Sequence, residues 1–191
     1  MDHGLPDEKL LTRFAQGDRA ALGELAERYE RALLGLAGGL LNGSSVLAGD
    51  AVQETWLRVI RFADRFDGRS SFKTWLYRIA INQCHSLRAN GWATAQTTAD
   101  ANAAATTSNA APSAEPGPQK AAEAAESRAA LRAVLESLAP EQRDVLLLCY
   151  HHGLTHAEAA EILEIPVGTL KSRLHAALEA LRTRLAPEVG P

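Results

Sequence analysis

Between Gly91 and Pro118 the chain carries no large apolar residue after Trp92, and only Asp100 and Glu115 are charged. A stretch of Ala, Thr, Asn, Ser, Pro and Gly of that length buries too little surface to offset its ordering entropy. It cannot run through the core of one fold, so the 191-residue chain must fold on either side of it. The expected organisation is an N-terminal domain over 1–90, a flexible linker over 91–122 and a C-terminal domain over 123–191.

Both flanks read as helix. Aromatic residues make up 5% of the chain, too few for a large sandwich or barrel, whose strands favour aromatic and β-branched residues. Leu, Ala, Glu and Arg, good helix formers, take their place. In the N-terminal part, Asp7 is expected to cap a short helix bearing Leu10, Leu11 and Phe14. Asp18 is expected to cap a second, with a stripe of Leu22, Leu25, Tyr29, Leu33, Leu36 and Leu40 weakened at its end by Gly35, Gly38 and Gly39. Asn42-Gly43-Ser44-Ser45 and Asp67-Gly68-Arg69-Ser70 read as turns. They bound a third helix over about 46–66, with Val52, Trp56, Val59, Ile60 and Ala63 inward. A fourth, capped by Ser70 or Ser71, is expected to reach about Arg88. The fold class is all-α: two small helical domains, an N-terminal bundle and a C-terminal helix-turn-helix, joined by the linker.

The C-terminal part opens with Leu131, Val134, Leu135 and Leu138 on one helix, then Pro140 at the start of the next. Thr155-His156-Ala157-Glu158 has the T-x-x-E form of a capping box, and Ile165-Pro166 breaks the helix it begins. A last helix carries Leu170, Leu174, Leu178, Leu181 and Leu185. Small Ala159 and Ala160 let two helices cross closely. Thr169, Lys171, Ser172, Arg173 and His175 fall away from the leucine stripe, where side chains of a helix-turn-helix reach base edges and phosphates. A plain helical bundle with a solvated basic face fits the same spacing.

Charge gives no global signal. At a formal net charge of −3 there is no basic field over the whole chain, so any nucleic-acid partner has to be argued locally. Cys84 and Cys149 stand alone in apolar surroundings, which excludes a disulfide scaffold and suits a reducing compartment. No run approaches the ~18 apolar residues of a membrane span. The N-terminus, with Asp2, Asp7 and Glu8, lacks the cationic start of a signal peptide. A cytoplasmic protein without membrane insertion is expected. Cys149, His151, His152 and His156 lack the paired cysteines of a zinc site and flank a helix end, where a cation suits the dipole. No catalytic Ser/His/Asp set, phosphate-binding glycine loop or His-Glu-x-x-His helix occurs. The expectation is no enzyme, no metal and no cofactor.

Longer segments carry a resemblance. "LAPEQRDVLLLCYHHGLTHAEAAEILEIPVGTLKSRLHAALEALRTRL" resembles the C-terminal promoter-binding domain of bacterial sigma factors. "DAVQETWLRVIRFADRF" followed by "SSFKTWLYRIAINQCHSLR" resembles their N-terminal domain. Both segments in this order, with only a linker between, are similar to the extracytoplasmic-function (ECF, group 4) RNA polymerase sigma factors. The resemblance implies a protein that binds core RNA polymerase, directs it to promoter DNA and helps open the duplex by trapping a flipped base. An anti-sigma factor is a candidate further partner.

The resemblance assigns sites. Asp50, Gln53, Glu54, Leu57, Arg58 and Arg61, opposite the inward stripe of the third helix, would dock on a basic coiled coil of the polymerase. Taken alone, such charges read as a solvated helix face, their usual place. On the fourth helix Lys73, Tyr77, Arg78 and Arg88 would meet phosphates and Asn82 would hold the flipped base; on the last, Thr169, Lys171, Ser172, Arg173 and His175 would read the distal promoter element. Three departures from the family pattern stand out: Gln83-Cys84-His85-Ser86 where relatives place an acid and a further basic residue, Glu164 where helix-turn-helix motifs often carry Gly, and Ala176-Ala177 where relatives often place Arg. The alternative is a helix-turn-helix regulator that binds DNA alone, or a sigma-like decoy that occupies polymerase without initiating.

Overall fold

The computed structural model describes residues 4–95 and 133–185; for 90–95 and for Leu185 it describes the backbone alone. The linker expectation falls mainly on 96–132, outside the described residues, as does Leu131. Among the described residues every regular element is a helix.

Helix α1 (Asp7–Ala15) buries Leu10 and Leu11 against α2 (Arg19–Leu40). Asp7 does not cap α1. Pro6 holds that position without a side-chain bond, because Asp7 sits inside the first turn. Its carboxylate is taken from afar, by Arg28 Nη1 at 2.6 Å and by the Tyr29 hydroxyl. This ties the start of α1 to the middle of α2. Asp18 does cap α2, accepting from the Ala20 amide at 3.1 Å. The stripe of α2 is the core: Leu25, Leu33, Leu36 and Leu40 are all fully buried.

The turn after α2 needs two successive left-handed residues, Asn42 (φ 55°) and Gly43 (φ 76°), which Asn and Gly adopt most readily. Ser44 then caps α3 (Ser45–Phe62), accepting from the Leu47 amide at 3.3 Å. Val52 and Val59 face the core, and a 3₁₀ turn (Ala63–Arg65) carries Ala63 inward. Ile60, expected in that stripe, is instead 47% exposed. Helix α4 (Phe72–Ala95) begins under two caps. The Ser71 hydroxyl accepts from the Thr74 amide, and Glu8, reaching across from α1, accepts from the Phe72 amide, each at 3.0 Å. Phe72 packs edge-on against Tyr29. The helix continues seven residues past the expected end at Arg88, through Gly91 and Trp92.

In the second half, a helical turn at 133–136 precedes α5 (Pro140–Leu146), which has Pro140 in its first turn, where a missing N–H costs nothing. The chain then widens into a π-helical turn (Leu147–His151), closed by the His152 amide on the Leu147 carbonyl at 3.0 Å. The capping box forms as expected at α6 (His156–Ile162). Thr155 Oγ1 accepts from the Glu158 amide at 3.2 Å, and Glu158 Oε2 accepts from the Thr155 amide at 2.8 Å. The Thr155 hydroxyl also donates to Glu158 Oε2 at 2.7 Å, and this bond first, then the one from the Thr155 amide, holds the Glu158 carboxyl below its usual range. Pro166 separates α6 from α7 (Val167–Leu185), which packs on α5 and α6. Ala159, Ala160, Leu170 and Ala177 are buried where they meet, in keeping with a close crossing.

The two halves also touch each other. Helix α4 packs on α6, and α2 packs on the π-helical turn.

Candidate functional site

Two surfaces gather the candidate residues. The first is on α3. Asp50, Gln53, Leu57, Arg58 and Arg61 are exposed and Glu54 is partly so, all on the side away from Val52 and Val59. Glu54 meets Arg58 one turn on at 3.3 Å, a surface pair with both side chains nearly half exposed, so it contributes little to stability and leaves the carboxylate available. Beside this polar strip runs a groove between α2 and α3, lined by Leu34, Gly49, Trp56, Leu57 and Ile60. Leu34 (41%), Leu57 (48%) and Ile60 (47%) expose large apolar areas there, and Val46 and Leu47 continue the patch toward the start of α3. The Trp56 indole Nε1 is buried beneath it with no hydrogen-bond partner in the protein. Monomer surfaces rarely gather exposed leucine and isoleucine around a polar rim unless something docks there. Sequence periodicity missed the apolar half of this surface, because Ile60 lies one turn from Trp56 and so reads as core, and Leu34 sits beside buried Leu33.

The second surface divides between α4 and α7. On α7, Lys171, Ser172 and His175 are exposed and Thr169 and Arg173 partly exposed, and among the described residues none of their side chains forms a hydrogen bond or ion pair with the other half of the chain. The Ser172 hydroxyl bonds back to the Thr169 carbonyl at 2.9 Å. The left-handed turn before this helix is made by Glu164 at φ 55°, a backbone conformation that glycine adopts most readily.

On α4 the candidates separate. Asn82 is exposed and Lys73 partly so. Tyr77, by contrast, is 3% exposed, its ring edge-on to His152 with centroids 5.6 Å apart. Burial raises the Tyr77 phenol above its usual pKa. Arg78 donates to the Glu161 carbonyl at 2.9 Å and lies 3.6 Å from the Glu164 carboxylate. Arg88 stands 3.9 Å from Asp144. Three of the five α4 candidates thus face the second half of the chain, while Lys73 and Asn82 remain open.

Cys84 is fully buried, and burial pushes its thiol up to about 12, so it is an inert core residue. His152 is driven the other way, down to about 4, first by burial and then by His151 and Lys73. Cys149, His151, His152 and His156 do not converge: among the described residues no group of three or more His, Cys, Asp or Glu side chains has the geometry to hold a metal ion. Nor, among them, is any helix long and apolar enough to cross a membrane.

Comparison with known proteins matches both halves. Residues 25–93 match Sigma-70 region 2 and residues 128–181 match Sigma-70, region 4. The chain is 32% identical over 189 residues to the ECF RNA polymerase sigma-E factor of Salmonella typhimurium, covering 98% of each sequence. Among solved structures, CnrH in complex with the cytosolic domain of CnrY superposes with a TM-score of 0.69 at 24% identity, covering 94% of this chain and 96% of that one. The sigma factor RpoE of Bartonella quintana, solved with the anti-sigma factor NepR, superposes at 0.67 and 23% identity, covering 87% and 97%. At those identities the two superpositions bear on the fold alone.

Proposed function

This chain belongs to the ECF RNA polymerase sigma factors, and from that premise we propose how its surfaces divide the work of promoter-directed initiation. It binds core RNA polymerase, directs it to promoters and helps melt the DNA; the polymerase supplies the chemistry. Residues 1–90 form the domain that docks on polymerase and handles the promoter element near the start site. Residues 91–122 form a tether, and residues 123–191 carry the helix-turn-helix that reads the distal element. The protein works in the cytoplasm, where its DNA is, and an anti-sigma factor is a natural further partner.

The observation that carries the docking assignment is the α3 surface. Asp50, Glu54 and Gln53 rim an apolar strip of Leu57, Ile60 and Leu34 that nothing in the described residues covers. A docked helix of basic character would desolvate the strip while its Lys and Arg side chains pair with the acids at the rim. A DNA-binding regulator acting alone needs no such surface. For promoter DNA, Asn82 is placed to pair with an unstacked base through an amide that both donates and accepts, with Lys73, Tyr77, Arg78 and Arg88 on phosphates. Thr169, Lys171, Ser172, Arg173 and His175 meet the major groove of the distal element.

The test is the charge-reversed variant Asp50→Lys/Glu54→Lys, titrated against purified core polymerase and assayed by run-off transcription. Both residues lie outside the core, so folding should survive, while like charges against a basic partner should cost several kcal/mol of affinity. Unchanged polymerase affinity would overturn the assignment.

A further inference from the structure

The contact between the two halves contains two of the three places where this chain departs from its family. His85 Nε2 lies 2.8 Å from Asp144 Oδ2 on α5, and the Glu164 carboxylate faces Arg78 on α4. Neither residue has a partner of this kind within its own half. Tyr77, Arg78, His85 and Arg88 follow one another at helical spacing, so a single stripe of α4 meets the second half over about three turns. A second strand of contacts comes from α2. Arg143 donates to the Asn42 side chain. Leu147 lies over Gly39, where a Cβ would stand 2.9 Å from its Cδ1, and His151 lies over Gly35. Side chains at these two positions of α2 would crowd the seam.

The seam is also poorly paired. Six buried side-chain atoms among the described residues lack a hydrogen-bond partner in the protein. One is Trp56 Nε1; the other five, Arg78 Nε, Arg88 Nη1, Arg143 Nε, Asp144 Oδ1 and His152 Nε2, all lie in this seam. The ion pairs of Arg78 and Arg88 are long, at 3.6 to 4.0 Å. Buried polar atoms left without partners make a contact costly to hold closed and easy to open.

We infer that the seam is an autoinhibitory latch: closed, it occupies Tyr77, Arg78 and Arg88 with acids and a histidine of the C-terminal half, and it must open before α4 can engage DNA. His85 and Glu164 are the latch residues proper to this chain. The inference rests on the assignment of α4 to promoter DNA. The recognition helix α7 stays open throughout, so the closed chain keeps one DNA grip and hides the other. Polymerase, by binding the α3 face and drawing the halves apart, is the opener.

The test uses the full chain free of polymerase, with small-angle X-ray scattering to read separation of the halves and fluorescence anisotropy on random-sequence duplex and single-stranded DNA to read the exposed surface. His85→Asp sets a carboxylate against buried Asp144. Glu164→Gly removes the partner of Arg78 and relieves the left-handed strain of the turn, so it should open the seam while leaving the melting temperature of the C-terminal half equal or higher. Neither residue is assigned to DNA. The expected result is an increased radius of gyration in both variants and tighter single-stranded DNA binding, about tenfold if the wild type is about 90% closed. A radius unchanged from wild type in both variants, or a wild-type chain already extended, would overturn the latch. Scattering involves neither DNA nor polymerase, so it judges the latch even if the docking assignment fails. If both variants open yet bind DNA no better, closure exists but does not inhibit, and the inference falls on that count.

Discussion

Truncating Leu57 should weaken polymerase binding by an amount the structure sets in advance. Leu57 is 48% exposed in the α2–α3 groove, so folding has already buried about half of its side chain and docking can bury the rest. Full burial of a leucine is worth about 1.5–3 kcal/mol, which leaves about 0.8–1.5 kcal/mol for the complex. Leu57→Ala should therefore raise Kd for core polymerase about 4- to 13-fold. Ile60, 47% exposed one turn along, adds a comparable increment in Leu57→Ala/Ile60→Ala, less whatever the two neighbours share. Thermal stability should fall only modestly, by at most about 0.8–1.5 kcal/mol for the half already buried, because Ala keeps good helix propensity. Leu36→Ala makes the contrast: fully buried in α2, it should cost about 2–5 kcal/mol of stability. The assay is an equilibrium titration of labelled full-length protein with core polymerase, beside thermal melts of each variant. A double variant that keeps its fold and binds within twofold of wild type would refute the groove as the docking surface.

Arg173→Ala should cost about 1–3 kcal/mol of binding at one position of the distal element if the guanidinium reads a base, with relaxed preference there; equal loss on every upstream sequence would make it a phosphate contact. The seam should also loosen with acid. Burial first, then His151 and Lys73, lower the His152 pKa from 6.5 to about 4; Tyr77 and Lys73 act on it from across the seam, so the closed form binds the proton less readily than the open one. Opening that returns the ring to solvent restores the ordinary pKa, so the His152 contribution to closure is unpenalised above pH 6.5 and loses at most about 1.4 kcal/mol per pH unit as pH falls from there toward 4. Scattering across that window, repeated with His152→Phe to remove the titration, checks it; a wild-type radius independent of pH would contradict it.

What could be read from the sequence was local. Asp18, Ser71 and the Thr155/Glu158 pair each act within three residues, through backbone groups that every helix start leaves free, so their roles follow from spacing. The leucine stripes of α2 and α7 follow from helical period alone. Errors arose where a distant residue intervened. Asp7 reads as a cap until Arg28 and Tyr29, a helix away, claim its carboxylate. Ile60 reads as core because periodicity marks a face but not whether anything lies against it. Gly91 reads as a helix end, yet α4 runs on to Ala95. The seam lay furthest out of reach: His85–Asp144, Arg78–Glu161 and Asn42–Arg143 join positions 59, 83 and 101 residues apart, across the linker. Even so, the sequence marked His85 and Glu164 as unusual without supplying a reason. Their partners across the seam supply one.

The three glycines near the end of α2 acquire a different meaning in terms of local unfolding. Gly35, Gly38 and Gly39 each weaken a helix by about 1 kcal/mol relative to alanine, so this last stretch depends on packing more than on its own helix propensity. The π-helical turn braces it on one side through Leu147 and His151, while Leu34, on the same stretch, lines the groove on the other. Releasing the brace leaves Leu34 on a fraying helix end, and a helix docked in the groove would restore its order from the opposite face. The two contacts then communicate through the stability of one short segment, with no rigid displacement needed between them.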